Sequence, residues 1–145
     1  MARKPGYEGL KFKSDRVILI TGARVYAKRK VKEYSARLVK VREIVDKAIK
    51  HKLEIVTGNS SGVEREVAKW CDKRRYKNLS VAIPVTMGGH MTVWGKNEIT
   101  PWGQDQVDDV MVTRSKWCVF IGSCPRSNRM RRFAETIGKK VRAVK

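Results

Sequence analysis

Three short polar loops carry the residues of this sequence whose types and spacing suit ligand chemistry. Each loop follows a short apolar run, and the second and third lead into helical patterns. Glycine lets a ligand approach the backbone closely, and hydroxyl and backbone N–H groups bind phosphate where a loop enters a helix. The pattern therefore indicates a site for a phosphate-bearing ligand. The candidate ligand-binding residues are Gly22, Ala23, Arg24, Gly58, Asn59, Ser60, Ser61, Gly62, Glu64, Gly122 and Ser123.

The common phosphate-binding motifs are absent from the sequence. There is no G-x-x-x-x-G-K-[ST] motif, which excludes a Walker-type NTPase, and no G-x-G-x-x-G motif for a standard dinucleotide site. The stretch from Gly58 to Gly62 is therefore either a phosphate cradle or a tight turn between two packed elements. The residues alone leave both interpretations open.

The chain carries a formal net charge of +19 in 145 residues, which attracts polyanions at long range. Residues 24–52 have a net charge of +8, residues 126–145 have +7, and residues 92–111 have −3. We infer a contact with RNA, DNA or another polyanion, and a solvated basic surface is the alternative. The candidate nucleic-acid-binding residues are Arg3, Lys4, Lys28, Arg29, Lys30, Arg126, Arg129, Arg131 and Arg132.

No residue pattern assigns a catalytic or metal site. Cys71, Cys118 and Cys124 form no C-x-x-C motif and lie far from the two His residues in sequence, so we expect reduced thiols and no metal. His90 is a candidate general base, but no Ser or Cys nucleophile motif accompanies it. We therefore expect binding rather than catalysis, and catalytic residues stay unassigned.

Apolar runs alternate with amphipathic segments along the chain. Short β-branched runs that end at Gly or Pro indicate buried parallel strands, and apolar residues spaced at three and four indicate helices. Strands that alternate with helices specify an α/β fold, a three-layer sandwich with a mainly parallel sheet of about five strands. The predicted strands are 16–21, 53–57, 79–83, 117–121 and 141–144, and the predicted helices are 31–50, 63–73, 104–113 and 128–137, the last capped by Ser127 or Asn128 and by Gly138.

Residues 85–101 are predicted to form a long loop, because they contain Gly88, Gly89 and Gly95 and end at a proline. Trp94 and Trp102 in and beside it are candidates for stacking on a base. The alternative is that these rings fold the loop over the core.

We predict a basic N-terminal arm over residues 1–15 and a single domain over 16–145. The arm lacks periodicity and has no apolar region typical of a secretory signal. The apolar runs are too short to cross a bilayer. We therefore expect a cytoplasmic protein with no membrane partner.

The three loops, taken in order, resemble the SLOG superfamily, the Rossmann-like group that contains the DNA-processing protein A (SMF) family, the cytokinin-activating LOG proteins and the small YspA-like proteins. The resemblance is carried by Thr21-Gly-Ala-Arg24 with Tyr26 and by Thr57-Gly-Asn-Ser-Ser-Gly-Val-Glu64 with Ala68-Lys-Trp70. It continues from Trp117-Cys-Val-Phe-Ile-Gly122 to Gly138-Lys-Lys-Val141, and is nearest to the YspA-like pattern.

The resemblance implies a Rossmann-like domain that binds a nucleotide or nucleotide-derived molecule, and a bound nucleotide is its expected cofactor. Some relatives are phosphoribohydrolases that use a Gly-Gly loop and a Glu after the fourth strand; Gly122 to Met130 has neither. Relatives of DNA-processing protein A bind single-stranded DNA, so a nucleic-acid-binding or assembly protein, including a homo-oligomer, is the alternative. Asn59, Val63 and the acidic stretch 104–111 depart from the family pattern.

Overall fold

A computed structural model of the chain describes residues 16–24, 31–85 and 90–145, with the backbone alone in residues 31–34. The predicted arm lies outside the described residues. So do five of the candidate nucleic-acid-binding residues: Arg3, Lys4, Lys28, Arg29 and Lys30.

The described part of the chain forms one six-stranded sheet in which every neighbouring pair is parallel. Its order is β4-β3-β2-β1-β5-β6. The chain therefore builds outward from β1 in one direction and then returns to add β5 and β6 on the other side. The strands are β1 (Val17–Gly22), β2 (Glu54–Gly58), β3 (Leu79–Pro84), β4 (Lys96–Thr100), β5 (Trp117–Ile121) and β6 (Lys140–Val144).

Helices cover both faces of this sheet. Buried residues of the first two helices pack on one face with Ile20 and Ile55, and those of the last two pack on the other face with Leu19 and Val56. This alternation follows from strand geometry, since successive side chains point to opposite faces. The predicted three-layer α/β fold is confirmed. The helices are α1 (Val31–Lys50), α2 (Val63–Lys73), α3 (Gln104–Arg114) and α4 (Pro125–Thr136).

The prediction of a single loop over residues 85–101 is wrong, because Lys96–Thr100 forms β4 and pairs with β3. The sequence of this strand, KNEIT, lacks the apolar run that marks the buried strands. An edge strand needs no such run, since one side of its ladder faces solvent. The sheet consequently has six strands rather than about five.

The predicted start of the last helix is also wrong. Helix α4 begins at Pro125, and its N-cap is Cys124 rather than Ser127 or Asn128. Proline suits the first helical position because its missing N–H would have no partner there. The Ser127 hydroxyl instead accepts a bond from the Cys124 backbone N–H at 3.0 Å, closing a capping box.

The strand order places a topological switch between β1 and β5. Ligands of open α/β sheets bind in the crevice outside the carboxyl ends of the strands at such a switch. Here β1 ends at Gly22 and β5 ends at Ile121, opposite each other in the ladder. The predicted loops therefore emerge at the position where this fold places a ligand.

Candidate functional site

The loops after β1, β2 and β5 meet at the carboxyl edge of the sheet. The backbone N–H of Ala23 donates to Ile121 at 2.9 Å, and that of Val63 donates to the Ala23 carbonyl at 3.1 Å. The Cys124 sulfur lies 3.8 Å from the Gly22 carbonyl oxygen. Direct hydrogen bonds thus bring together three loops that lie about 40 to 100 residues apart in the chain.

The carboxylate of Glu64 lies at the centre of this edge and is completely buried. It accepts hydrogen bonds from the backbone N–H of Gly58 at 3.0 Å and of Ser60 at 3.2 Å. The hydroxyls of Ser60 and of Thr21, the latter at 2.9 Å, also donate to it. The Glu64 carboxylate therefore accepts hydrogen bonds from the backbone N–H groups that the sequence pattern predicted for a phosphate.

Arg126 joins Glu64 to a second buried carboxylate, Asp108. Its guanidinium donates to Glu64 at 2.8 and 3.3 Å, and to Asp108 at 2.9 and 2.6 Å. The Nη1 atom that donates to Glu64 also donates to the Ser60 hydroxyl at 3.0 Å. Arg129 and Gln104 complete the shell of Asp108 at 3.1 and 2.7 Å. We call Glu64, Arg126 and Asp108 the carboxyl-edge network.

The electrostatics of this network favour the charged forms of its groups. Burial would raise the pKa of the Glu64 carboxyl, but the charge of Arg126 and the hydrogen bonds from Arg126, Ser60 and Thr21 lower it to about 2. Burial would lower the pKa of Arg126, but Glu64 and Asp108 raise it above its usual value. Removal of Arg126 would leave Glu64 as an uncompensated buried charge.

Glycine is required at two positions of the β2–α2 loop. Gly62 has a φ of +82°, and a β-carbon there would collide with the Ala23 carbonyl oxygen. A β-carbon on Gly58 would lie 2.5 Å from the Glu64 carboxylate. Both glycines therefore serve the packing of the loops around Glu64, a role that accounts for their presence without any ligand.

A cleft of about 330 Å³ opens beside this loop and is lined by Asn59, Ser61, Arg65 and His90. Burial lowers the pKa of the His90 imidazole, which favours its neutral form. Among the described residues, its Nε2 atom has no hydrogen-bond partner although it is buried. The side chains of Ser61 and Arg65 are exposed at the mouth of the cleft. The cleft thus offers a hydroxyl, an imidazole and a guanidinium to a ligand.

The other candidate residues of these loops lie around the network rather than in this cleft. Arg24 is half-buried after β1, and Ser123 is exposed before α4. Gly22 and Gly122 pack against neighbouring backbone and the Arg37 side chain. Their assignment to a ligand stays a prediction.

Sequence reasoning missed Asp108, Arg65 and Thr21. Asp108 has a visible signal, since it is an acid beside Val107, Val110 and Met111 on the apolar side of α3. Arg65 follows the loop directly but has no distinctive spacing. Thr21 ends a buried strand, and only the strand's position shows that its hydroxyl reaches Glu64.

Cys124 differs from the other two cysteines. Burial would raise the pKa of its thiol, but hydrogen bonds from the Ser127 side chain and from backbone groups of Ser127, Arg24 and Arg126 lower it. Burial raises the pKa of Cys71 and of Cys118 to about 12. Cys124 is therefore the most readily ionised thiol of the three.

The arginine cluster of α4 is largely neutralised by acids of the same chain. Arg129 contacts Asp105 and Asp108, both at 3.1 Å, and Arg131 lies 3.5 Å from Glu135. Arg132 contacts the Asn128 carbonyl at 3.5 Å. The assignment of these arginines to nucleic acid stays a prediction, but their pairing reduces the charge that they present outward.

The two tryptophans do not join the carboxyl-edge cleft. Trp102 packs against the core cluster of α3 and α4. Trp94 lies near the side chains of Arg75 and Lys77, at 5.7 and 5.9 Å from its ring centroid. No described residue of the cleft contributes an aromatic ring other than His90.

Within the described ranges, no group of three or more His, Cys, Asp or Glu side chains is arranged to hold a metal ion. No helix of those ranges is long and apolar enough to span a membrane.

Comparison with solved structures supports the fold. The chain is similar to the molybdenum cofactor carrier protein of Chlamydomonas reinhardtii, with a TM-score of 0.69 and 20% identity over 88% of this chain and 74% of that one. It is also similar to the molybdenum cofactor binding protein of the phototrophic bacterium Rippkaea orientalis, with a TM-score of 0.65 and 15% identity over 88% and 74%. No family model matches the sequence, and no curated protein matches it. At these identities the likeness shows a shared Rossmann-like fold.

Proposed function

We propose that this chain is a SLOG-type protein that binds a nucleotide or a nucleotide-derived phosphate compound at the carboxyl edge of its sheet. The observation that carries the proposal is the cleft beside the β2–α2 loop. It combines Arg65, Ser61 and the buried Nε2 atom of His90 at the N-terminal end of α2. Helix N-termini favour anions, and a guanidinium adds charge-assisted hydrogen bonds to a phosphate.

The structural neighbours support binding of a small ligand. They are molybdenum cofactor carrier and binding proteins. A small cofactor is therefore a compatible ligand for the same fold, and the molybdenum cofactor belongs in any panel of candidates. The YspA-like placement within SLOG rests on the loop motifs.

The carboxyl-edge network favours binding over hydrolysis. Glu64 is the acid nearest to the second loop, and its carboxylate is enclosed by donors of the protein. A buried carboxylate with a pKa of about 2 is a poor proton donor or acceptor near neutral pH. We therefore propose that Glu64 holds the loops in place and that the ligand contacts Arg65, Ser61 and His90.

The test begins with protein purified at high salt with nuclease, denatured and analysed by mass spectrometry for released small molecules. The compound found, or a panel of mononucleotides and the molybdenum cofactor, is then titrated into the wild type and Arg65→Ala. Loss of a charge-assisted bond should weaken binding about tenfold or more. Lys69→Ala, one turn further along α2 and also exposed, is the matched control. Equal affinities of the wild type and Arg65→Ala would reject the site.

The second candidate function is binding of RNA or DNA, which the net charge of +19 favours. Binding of a labelled oligonucleotide should then weaken steeply with salt, because bound phosphates release counterions. The same experiment with a mononucleotide separates the two functions, since a single phosphate gives a shallow salt dependence. A cytoplasmic location and self-assembly are compatible with either function and stay predictions.

A further inference from the structure

A second and larger concavity lies at the opposite, amino-terminal edge of the sheet. It is a groove of about 570 Å³ between the last turns of α1 and the beginnings of β1, β5 and β6. Its floor is apolar and is lined by the buried residues Ile18, Ala48 and Val119 beside the half-buried ring of Trp117. We call it the amino-edge groove.

The groove lies where the helices on this face leave the beginning of the last strand uncovered, while Val144 at the end of that strand packs against the core. Helix α1 packs over β2 and β5, whereas β6 is covered by α4 on the other face. Strand alternation puts Val141 in the α3–α4 core, so Lys140 and Arg142 stand on the α1 side. The uncovered strip of sheet between α1 and these two side chains is the groove.

Its rim is strongly basic. Arg16, Lys47, Lys116, Lys140 and Arg142 all line it, and none of the described lining residues is acidic. Arg16 donates to the His51 carbonyl, and the Lys116 ammonium lies 4.9 Å from the Trp117 ring centroid. Neither contact neutralises a charge. The cations therefore repel one another across an apolar floor, and a bound anion would relieve that repulsion.

We propose that the amino-edge groove binds a small amphiphilic anion, with an apolar body on the floor and a carboxylate, sulfonate or phosphate group at the basic rim. The volume lies within the range of small-molecule sites, about 300–1,000 Å³. The apolar floor with a tryptophan suits a flat ring or an acyl chain. This site is separate from the proposed carboxyl-edge site, so neither proposal depends on the other.

The test uses the fluorescent probe 8-anilinonaphthalene-1-sulfonate, an aromatic anion, with the full-length protein at moderate salt. The double variant Lys140→Glu/Arg142→Glu should weaken saturable binding of the probe about tenfold or more, since two rim cations become anions. Lys69→Glu/Lys73→Glu carries the same change of charge on the exposed surface of α2, and should change the affinity less than about threefold at this ionic strength.

Competition identifies the class of natural ligand. Displacement of the probe by laurate indicates an acyl anion, and displacement by adenosine monophosphate indicates a nucleotide; either supports the proposal. Displacement by neither, or an equal loss in the two double variants, overturns it. Loss of probe binding in Arg65→Ala would also overturn the proposal. The same holds if a twelve-nucleotide strand displaces the probe at a lower concentration than either small anion does. A dimer that dissociates in Lys140→Glu/Arg142→Glu would also overturn it, because a second copy would then fill the groove.

Discussion

The two edges of the sheet differ in how their charges are balanced. At the carboxyl edge, Arg126 is enclosed by Glu64 and Asp108, and every partner lies within hydrogen-bonding distance. At the amino edge, five cations line an apolar groove in which no described residue is acidic. The carboxyl-edge network satisfies its cation internally, and the amino-edge groove presents its cations to solvent.

This difference shows that net charge alone does not locate a binding surface. The arginines of α4 stand out in the sequence, yet most of them contact acids of α3 and α4. The amino-edge cations are scattered from Arg16 to Arg142 and form a group only after the sheet is assembled. The positions of the acids on α2, α3 and α4 decide which cations are neutralised.

The largest expected effect comes from breaking the carboxyl-edge network. Glu64→Ala should lower the free energy of unfolding by about 3–5 kcal/mol, because the buried donors around Glu64 lose their acceptor and Arg126 keeps only Asp108 as a charged partner. Urea denaturation at pH 7, followed by tryptophan fluorescence, measures this loss.

Two control variants test whether this loss is specific to the carboxyl-edge network. Glu135→Ala breaks the exposed pair with Arg131, and Lys140→Ala removes a cation of the amino-edge groove. Each should change the free energy of unfolding by about 0.5 kcal/mol or less. Similar losses in all three variants would contradict the contrast between the edges.

A smaller effect is expected from pH. The pKa of Glu64 falls from its ordinary 4.5 to about 2 on folding, so its contribution is complete above about pH 4.5 and is lost as the pH falls toward 2. The contribution amounts to about 3 kcal/mol, at 1.36 kcal/mol per pKa unit.

The measurement is the difference in unfolding free energy between the wild type and Glu64→Gln from pH 6 to pH 2. This difference should shrink toward the acidic end, and the general effect of net charge cancels because it acts on both proteins. A difference that stays constant with pH would show that the Glu64 carboxylate is not ionised in the folded state.

The smallest effect concerns thiol reactivity. Cys124 lies at the carboxyl edge with a lowered pKa, whereas Cys118 is buried beneath the amino-edge groove with a pKa raised to about 12. With 5,5′-dithiobis(2-nitrobenzoate) at pH 7.5, the native protein should show one fast thiol and release all three only on unfolding. Cys124→Ser should remove the fast phase and Cys71→Ser should keep it; the reverse result would refute the assignment.

The fold was largely predictable because its signals are local. Helices α1 and α2 begin and end where the apolar spacing predicted, and the four inner strands follow buried apolar runs. Strand β4 was not predicted because this edge strand, KNEIT, has no buried face that would require an apolar pattern in the sequence. The start of α4 was predicted incorrectly because a cysteine serves as its N-cap, a role usually taken by Ser, Thr, Asp or Asn.

The α/β class and the excess of positive charge follow directly from the sequence. The meeting of three glycine loops follows as well, since parallel strands align their carboxyl ends at one edge. How those features are used depends on the tertiary structure. It turned Glu64 inward onto the loop N–H groups, supplied Asp108 from a distant helix and gathered cations from four separate segments at the amino edge. These outcomes depend on which strands become neighbours, because hydrogen bonds and charges act between groups that are close in space, whatever their separation along the chain.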